Sequence, residues 1–297
     1  MKKLLCAILT LILAMSLTAA VAQELEIPVV EWEFPVPLTD IQSKYALLVN
    51  ADNLLDENFV PEPLVKVNNS QVRLYSRVNM ELEQEAYNAI KEMFDAALMV
   101  DSYVYTNESG KVKTAEYPDG MVLVLKSAYR KYATQATTYA NYIARNKVDD
   151  GYVAKPGASE HQTGLCADIL NLDYSKRSRM TQDFKWTPEA QWMKANCADF
   201  GLILRFTENG EAATGIKFEP WHFRYVGKSM AEYIMGKGIT LEEFTVAAQE
   251  AYDDFVSRGG DVEEWLKYED QKLNRPPVSY VLDTCDEDGD AEISLVF

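Results

Sequence analysis

Histidine is nearly missing from this chain. Its 297 residues hold two, His161 and His222. A site built on three imidazoles is excluded, and any metal centre must complete its ligand set from carboxylates or cysteine. Cysteine is scarce too. Beyond Cys6, near the start, only Cys166, Cys197 and Cys285 remain. Three thiols cannot all pair within one chain, which leaves open both a Cys166–Cys197 bridge and two buried free thiols. Basic residues are outnumbered, 29 against 46 acidic, for a formal charge of -17. That balance argues against nucleic acid as a partner, and against docking on an anionic surface through bulk charge. No internal repeat is present, and no apolar stretch after the first residues is long enough to span a bilayer.

What the chain does contain is ordinary globular material, with 47% hydrophobic and 25% charged residues. The start reads as a signal peptide over residues 1–22. Lys2 and Lys3 precede the apolar run Leu4 to Leu17, and Ala20-Val21-Ala22 forms a small-x-small cleavage site. Export follows as the expectation, with no anchor left after cleavage. Residues 23–45, carrying Pro28, Pro35 and Pro37, read as an extended linker.

Helical spacing of Leu82, Ala86, Ile90, Met93, Phe94, Ala97 and Leu98 predicts a helix over 80–100, capped by Asn79. A turn or hairpin over 101–120 and a strand over 121–125 follow. The next predicted helix comes after Arg130, with Tyr132, Ala136, Tyr139 and Ile143 on one face. Strands are expected at 165–172, 202–206 and 222–226. Thr187-Pro188 opens a further helix that stops at Gly201. Thr240 and Glu243 form a capping box for another, and Asp261 with Glu264 repeats the signature. Residues 246–297 read as a helical and then acidic extension. Short strands mixed irregularly with helices predict an α+β fold.

Both histidines sit beside carboxylates. The first lies in Ser159-Glu160-His161-Gln162-Thr163-Gly164-Leu165-Cys166-Ala167-Asp168, the second in Glu219-Pro220-Trp221-His222-Phe223-Arg224-Tyr225. A catalytic zinc needs three protein ligands and an open position. Two histidines and one carboxylate satisfy that count. Asp168 and Cys166 compete for the third place, because they share a strand face. Glu219 is the candidate general base. Pro220 disfavours helical backbone at Glu219, so the chain must turn near Pro220-Trp221 to bring Glu219 and His222 to one metal. Arg130 can aim a fixed positive charge at a substrate carboxylate or an oxyanion. As a nucleophile Cys166 is rejected, since the apolar neighbours Leu165 and Ala167 predict an inert thiol.

These clusters, in this order, resemble the VanY-type D-alanyl-D-alanine carboxypeptidases of the M15 group of zinc peptidases. The likeness rests on Leu48-Val49-Asn50, Ser127 to Gln135, Pro156 to Ile169 and Ile203 to Gly227, within roughly residues 46–245. It implies an α+β domain of the hedgehog/DD-peptidase-like kind, with a small antiparallel sheet flanked by helices and holding one zinc ion (Zn2+). It implies His161, Asp168 and His222 as metal ligands, Glu219 as catalytic base, and Arg130 as the electrophilic, substrate-orienting group. Gln135 and Ser159 match positions that contact the peptide. The implied partner is the stem peptide of peptidoglycan, at a secreted or wall-associated location, and a monomer is expected. An L,D-carboxypeptidase, a cross-link endopeptidase and a non-catalytic peptidoglycan-binding zinc module are the alternative readings. Ala128, Lys131 and Cys166 depart from the usual glycine, serine and aliphatic residue of the family.

Overall fold

A computed structural model describes residues 27–76 and 79–273. The signal peptide, the acidic stretch 286–290, Cys6 and Cys285 lie outside the described residues. The chain divides into two compact units, Glu33–Phe255 and the flanking pieces up to Trp32 and from Val256. The larger unit contains every nominated site residue. Among the described residues, no helix is long and apolar enough to cross a membrane.

Strands β1 (Leu64–Lys66) and β2 (Glu81–Glu83) pair antiparallel and lead into helix α1 (Gln84–Ala97). The predicted cap, Asn79, is displaced by Glu83. Its carboxylate accepts from the amides of Glu85 at 2.8 Å and Ala86 at 3.2 Å, and residues 81–83 are held in a strand. The apolar stripe is buried as its spacing predicts, except that Leu98 lies 51% exposed past the end of the helix. Strands β3 (Ser102–Thr106) and β4 (Val112–Glu116) form the expected hairpin over 101–120.

Strand β5 (Leu123–Ser127) runs two residues further than its sequence limit. Helix α2 (Tyr132–Asn146) follows, with the predicted stripe of Tyr132, Ala136, Tyr139 and Ile143 half-buried on its inward side. Gln135 is its one buried residue, because the helix borders a cleft and turns that side inward. Strand β6 (Cys166–Asn171) comes next, then helix α3 (Pro188–Asn196), where the Thr187 hydroxyl caps the Ala190 amide at 3.2 Å. A 3-10 turn carries the chain from α3 to Gly201. Strands β7 (Leu202–Leu204) and β8 (His222–Tyr225) precede helices α4 (Lys228–Lys237) and α5 (Leu241–Ser257). The Thr240–Glu243 capping box is reciprocal: the Thr240 amide donates to Glu243 at 2.7 Å, and the Glu243 amide to the Thr240 hydroxyl at 3.2 Å. Helix α6 (Val262–Leu273) belongs to the flanking unit, and Asp261 caps it through the Glu264 amide.

The central sheet is antiparallel with strand order β5-β6-β8-β7. Met93, Phe94, Leu125, Ile169, Phe184 and Phe223 belong to its main apolar core. A second cluster joins Ile203 and Val226 to Met230, Ile234, Leu241 and Phe244. Val36, from the segment read as an extended lead-in, is buried in that cluster, and Leu38 is buried as well. Apolar side chains at alternate positions between prolines gain more from burial than from remaining in water. The observed architecture is thus α+β, as the element pattern predicts, with the small antiparallel sheet that the family resemblance implies.

Candidate metal centre

Sheet register assembles the site. Ser127 pairs with Asp168, and Asp168 pairs with His222, so three adjacent strands place these residues in one cross-strand row. The amide of Arg205, just beyond β7, continues the row by donating to the His222 carbonyl at 3.2 Å. Side chains two apart on a strand share a face, so Cys166 accompanies Asp168 and Arg224 accompanies His222.

His161 arrives from a different direction. It lies in a buried 3-10 turn, Glu160–Thr163, which Gly164 ends at φ 68°. A side chain at Gly164 would be strained there and would press on the Glu83 amide at 3.0 Å. The turn between Glu219 and His222 is the one Pro220 demands. The His222 amide donates to the Glu219 carbonyl at 3.2 Å, which folds both side chains to the same side.

The resulting contacts define which atoms face each other. Asp168 Oδ2 lies 3.4 Å from His161 Nε2, and Asp168 Oδ1 lies 3.2 Å from His222 Nδ1. Glu219 Oε2 stands 3.6 Å from that same Nδ1. The far nitrogen of His161, Nδ1, donates to the Ala128 carbonyl at 2.7 Å, which fixes the ring with Nε2 turned toward Asp168. The far nitrogen of His222, Nε2, points to Glu160 Oε2 at 3.5 Å. The two rings lie edge to face, 5.0 Å apart.

This donor set fits a divalent zinc. Two imidazole nitrogens and a carboxylate converge in a buried place, with their outer atoms turned to second partners, as metal-bound histidines require. Two sets present ligand atoms that all lie within 4.8 Å of one another: Cys166 with His161 and His222, and Asp168 with Glu219 and His222. The rivalry between Asp168 and Cys166 is therefore spatial as well as sequential.

Local charges set the protonation of the site. Burial pushes Glu219 up to about 7, the Asp168 carboxylate adds to this, and His222, His161 and Arg130 pull against it. Its side chain keeps 15% exposure, toward the cleft. Burial would also raise Asp168, but His161 and His222 hold it well below the usual carboxylate range. The thiol of Cys166 departs from its predicted inertness. Burial raises it, yet the two histidines bring it down to about 7. Leu165 and Ala167 do not set its surroundings, because strand alternation turns Cys166 toward the imidazoles instead. Cys166 and Cys197 are both buried and free, so no bridge joins them.

A cavity of about 350 Å³ opens over this cluster, and Arg130, Gln135, Ser159, His161, Asp168, Glu219 and His222 all line it. Arg130 is braced from three sides. Its amide donates to the His161 carbonyl at 2.9 Å, Nη2 to the Ser127 hydroxyl at 3.1 Å, and Nη1 to Gln135 Oε1 at 2.6 Å. Gln135 in turn donates to the Ala154 carbonyl at 2.6 Å, so both ends of its amide are engaged within the protein. Tyr152, Met180, Phe206 and Trp221 supply apolar wall.

Sequence reasoning passed over Glu160, Arg205 and Arg224, all fully buried beside His222. Burial would raise the Glu160 carboxyl, but Arg205 and Arg224 hold it well below the ordinary range. The available signal was the two arginines at strand positions flanked by apolar residues. A buried guanidinium requires a carboxylate partner.

Comparison with known proteins agrees with this arrangement. The VanY family, described as D-alanyl-D-alanine carboxypeptidase, matches residues 106–228. The putative carboxypeptidase YodJ of Bacillus subtilis (strain 168) is 32% identical over 201 residues, 66% of this chain and 65% of its own length. The chain thus spans just under two thirds of that relative. Among solved structures, the LdcB LD-carboxypeptidase, described with the molecular basis of peptidoglycan recognition, superposes with TM-score 0.54 at 32% identity. That match covers 66% of this chain and 83% of LdcB. A mutant of the vancomycin resistance D,D-pentapeptidase VanY from the VanB-type cassette, in complex with Zn(II), gives TM-score 0.50 at 25% identity over 67% and 98% of the two chains. Fold, motif order and relatives converge: this chain belongs to the VanY family of D-alanyl-D-alanine carboxypeptidases.

Proposed function

We propose that this chain is a zinc-dependent D,D-carboxypeptidase that removes the terminal D-amino acid from peptidoglycan stem peptides, with export through residues 1–22. The observation that supports it most is the meeting of His161 Nε2, Asp168 and His222 Nδ1 beside the Glu219 carboxylate in one cavity. His161, Asp168 and His222 would hold the metal. A zinc ion held there supplies positive charge to a carbonyl oxygen and acidifies water.

The chain's own residues do the rest. Glu219, within 3.6 Å of His222 Nδ1 and open to the cleft, takes the proton of the attacking water and later delivers it to the leaving amine. Arg130, braced by Ser127 and Gln135, presents a fixed cation to the terminal carboxylate or the developing oxyanion. Ser159 lines the same cavity, where its hydroxyl is available to the peptide. The expected product is free D-alanine.

An L,D-carboxypeptidase is the second reading, supported by the LdcB likeness at 32% identity. The test is mass spectrometry of defined pentapeptide and tetrapeptide stems, with and without chelator. Loss of one D-alanine from the pentapeptide alone supports the D,D reading. Trimming of the tetrapeptide moves the assignment to L,D. Zinc uptake with no cleavage of either stem sinks both and leaves a binding module.

A further inference from the structure

Donor counting around Glu160 isolates one oxygen for His222. Arg205 gives its Nε to Glu160 Oε1 at 2.8 Å, and Arg224 gives Nη1 to the same Oε1 at 3.0 Å. The remaining nitrogens of Arg224 are taken by the carbonyls of Tyr225, Tyr45 and Leu47. Both Nη groups of Arg205 are taken by Glu242 in a fork, at 2.8 and 2.7 Å. Neither arginine therefore has a nitrogen left that must seek Glu160 Oε2. That oxygen and His222 Nε2 stand 3.5 Å apart, both buried, and neither hydrogen-bonds any other group among the described residues. Buried polar atoms are almost always paired, and each of these faces the other.

We propose that Glu242 is a positioning residue of the metal centre, acting through Arg205 and Glu160 on the imidazole of His222. Glu242 lies on α5, beyond the residues 106–228 that match the family. It is itself steadied by Asn50, whose side-chain amide donates to Oε1 at 3.2 Å. Without Glu242, two buried Nη groups lose their acceptor, and Glu160, already bonded to Nε of the same guanidinium, has an oxygen that accepts no other hydrogen bond. Arg205 then competes with His222 for Oε2, and the imidazole loses the partner that fixes its tautomer and tilt. Neighbouring Glu243 has a different task, since it caps the helix through Thr240.

The inference rests on the reading of His222 as a metal ligand. The test uses the full chain and zinc alone, by competition with a chelating dye, together with the visible spectrum of the cobalt(II)-loaded protein. Glu242→Gln turns an amide donor toward the guanidinium. Zinc affinity is expected to fall roughly tenfold, at the low end of what the hydrogen-bond partners of metal ligands contribute, with an altered cobalt spectrum. Glu242→Asp should recover part of the affinity. Glu243→Gln should lower the melting temperature but leave zinc affinity and spectrum unchanged. Unaltered affinity in folded Glu242→Gln overturns the proposal, as does an equal loss in Glu243→Gln. Should Glu242→Gln fail to fold, Asn50→Ala removes one hydrogen bond from Glu242 and is expected to weaken zinc by roughly threefold; no change there overturns it equally. Failure of the unaltered chain to take up zinc overturns this and the proposed function together. Zinc uptake without stem-peptide cleavage sinks the D,D- and L,D-carboxypeptidase readings only, and the Glu242 result then stands by itself.

Discussion

Two glutamates lie against opposite edges of the His222 ring, and their surroundings drive them apart. Glu219, on the cleft side, faces Nδ1 with Asp168 nearby, and burial lifts it to about 7. Glu160, on the inner side, faces Nε2 between two arginines and stays ionised. The same side chain thus titrates near neutral pH in one place and is a fixed anion in the other. Environment, not residue type, divides the labour.

The sharpest way to break this contrast is Glu219→Gln. Turnover of a pentapeptide stem should fall by about 10³-fold, with zinc content unchanged. Measured rates within tenfold of the unaltered enzyme would remove Glu219 from proton transfer. Next in size is Glu160→Ala, which strands two buried guanidinium groups. Its expected effect is a loss of about 3–5 kcal/mol in denaturant unfolding, and a loss below about 1 kcal/mol would show that the arginines find other partners. The smallest effect concerns pH. The folded-state pKa of Glu219 lies above its unfolded value, so its contribution is intact at low pH and is lost as pH rises through about 7. Chelated Glu219→Gln should therefore be more stable than the chelated unaltered chain by about 2–3 kcal/mol near pH 8, with the gap fading below about pH 5. A gap that ignores pH would mean the carboxyl is not perturbed.

The sequence was informative wherever a residue's local chemistry is unusual. Thr187-Pro188, the Thr240–Glu243 box and the apolar stripe from Leu82 to Ala97 all specify their elements through short-range forces. The gathering of His161, Asp168, Glu219 and His222 in one cavity was anticipated mainly through the resemblance of their motifs to the VanY type, since the residues alone left Asp168 and Cys166 in competition and gave no reason to set Glu160 aside. Illegible features depended on long-range partners. The cap at Glu83 replaced Asn79 because β2 pairs with β1, which no local pattern records. The inward side of α2 follows its apolar stripe, but that its one fully buried residue is Gln135 depends on the cleft it lines and on Arg130, which the spacing of the helix does not encode. The fork from Arg205 to Glu242 joins residues 37 positions apart and has no periodic signature.

The imidazole of His161 is tied to the Ala128 carbonyl, while the Arg130 amide is tied to the His161 carbonyl. One main-chain bond and one imidazole bond therefore lock the segment just past β5 to the turn at 160–163. The offset between the guanidinium's root and the imidazole is set by the main chain together with the single His161 rotamer that the Ala128 carbonyl selects. Evolution can reshape the walls of the cleft without altering that ruler.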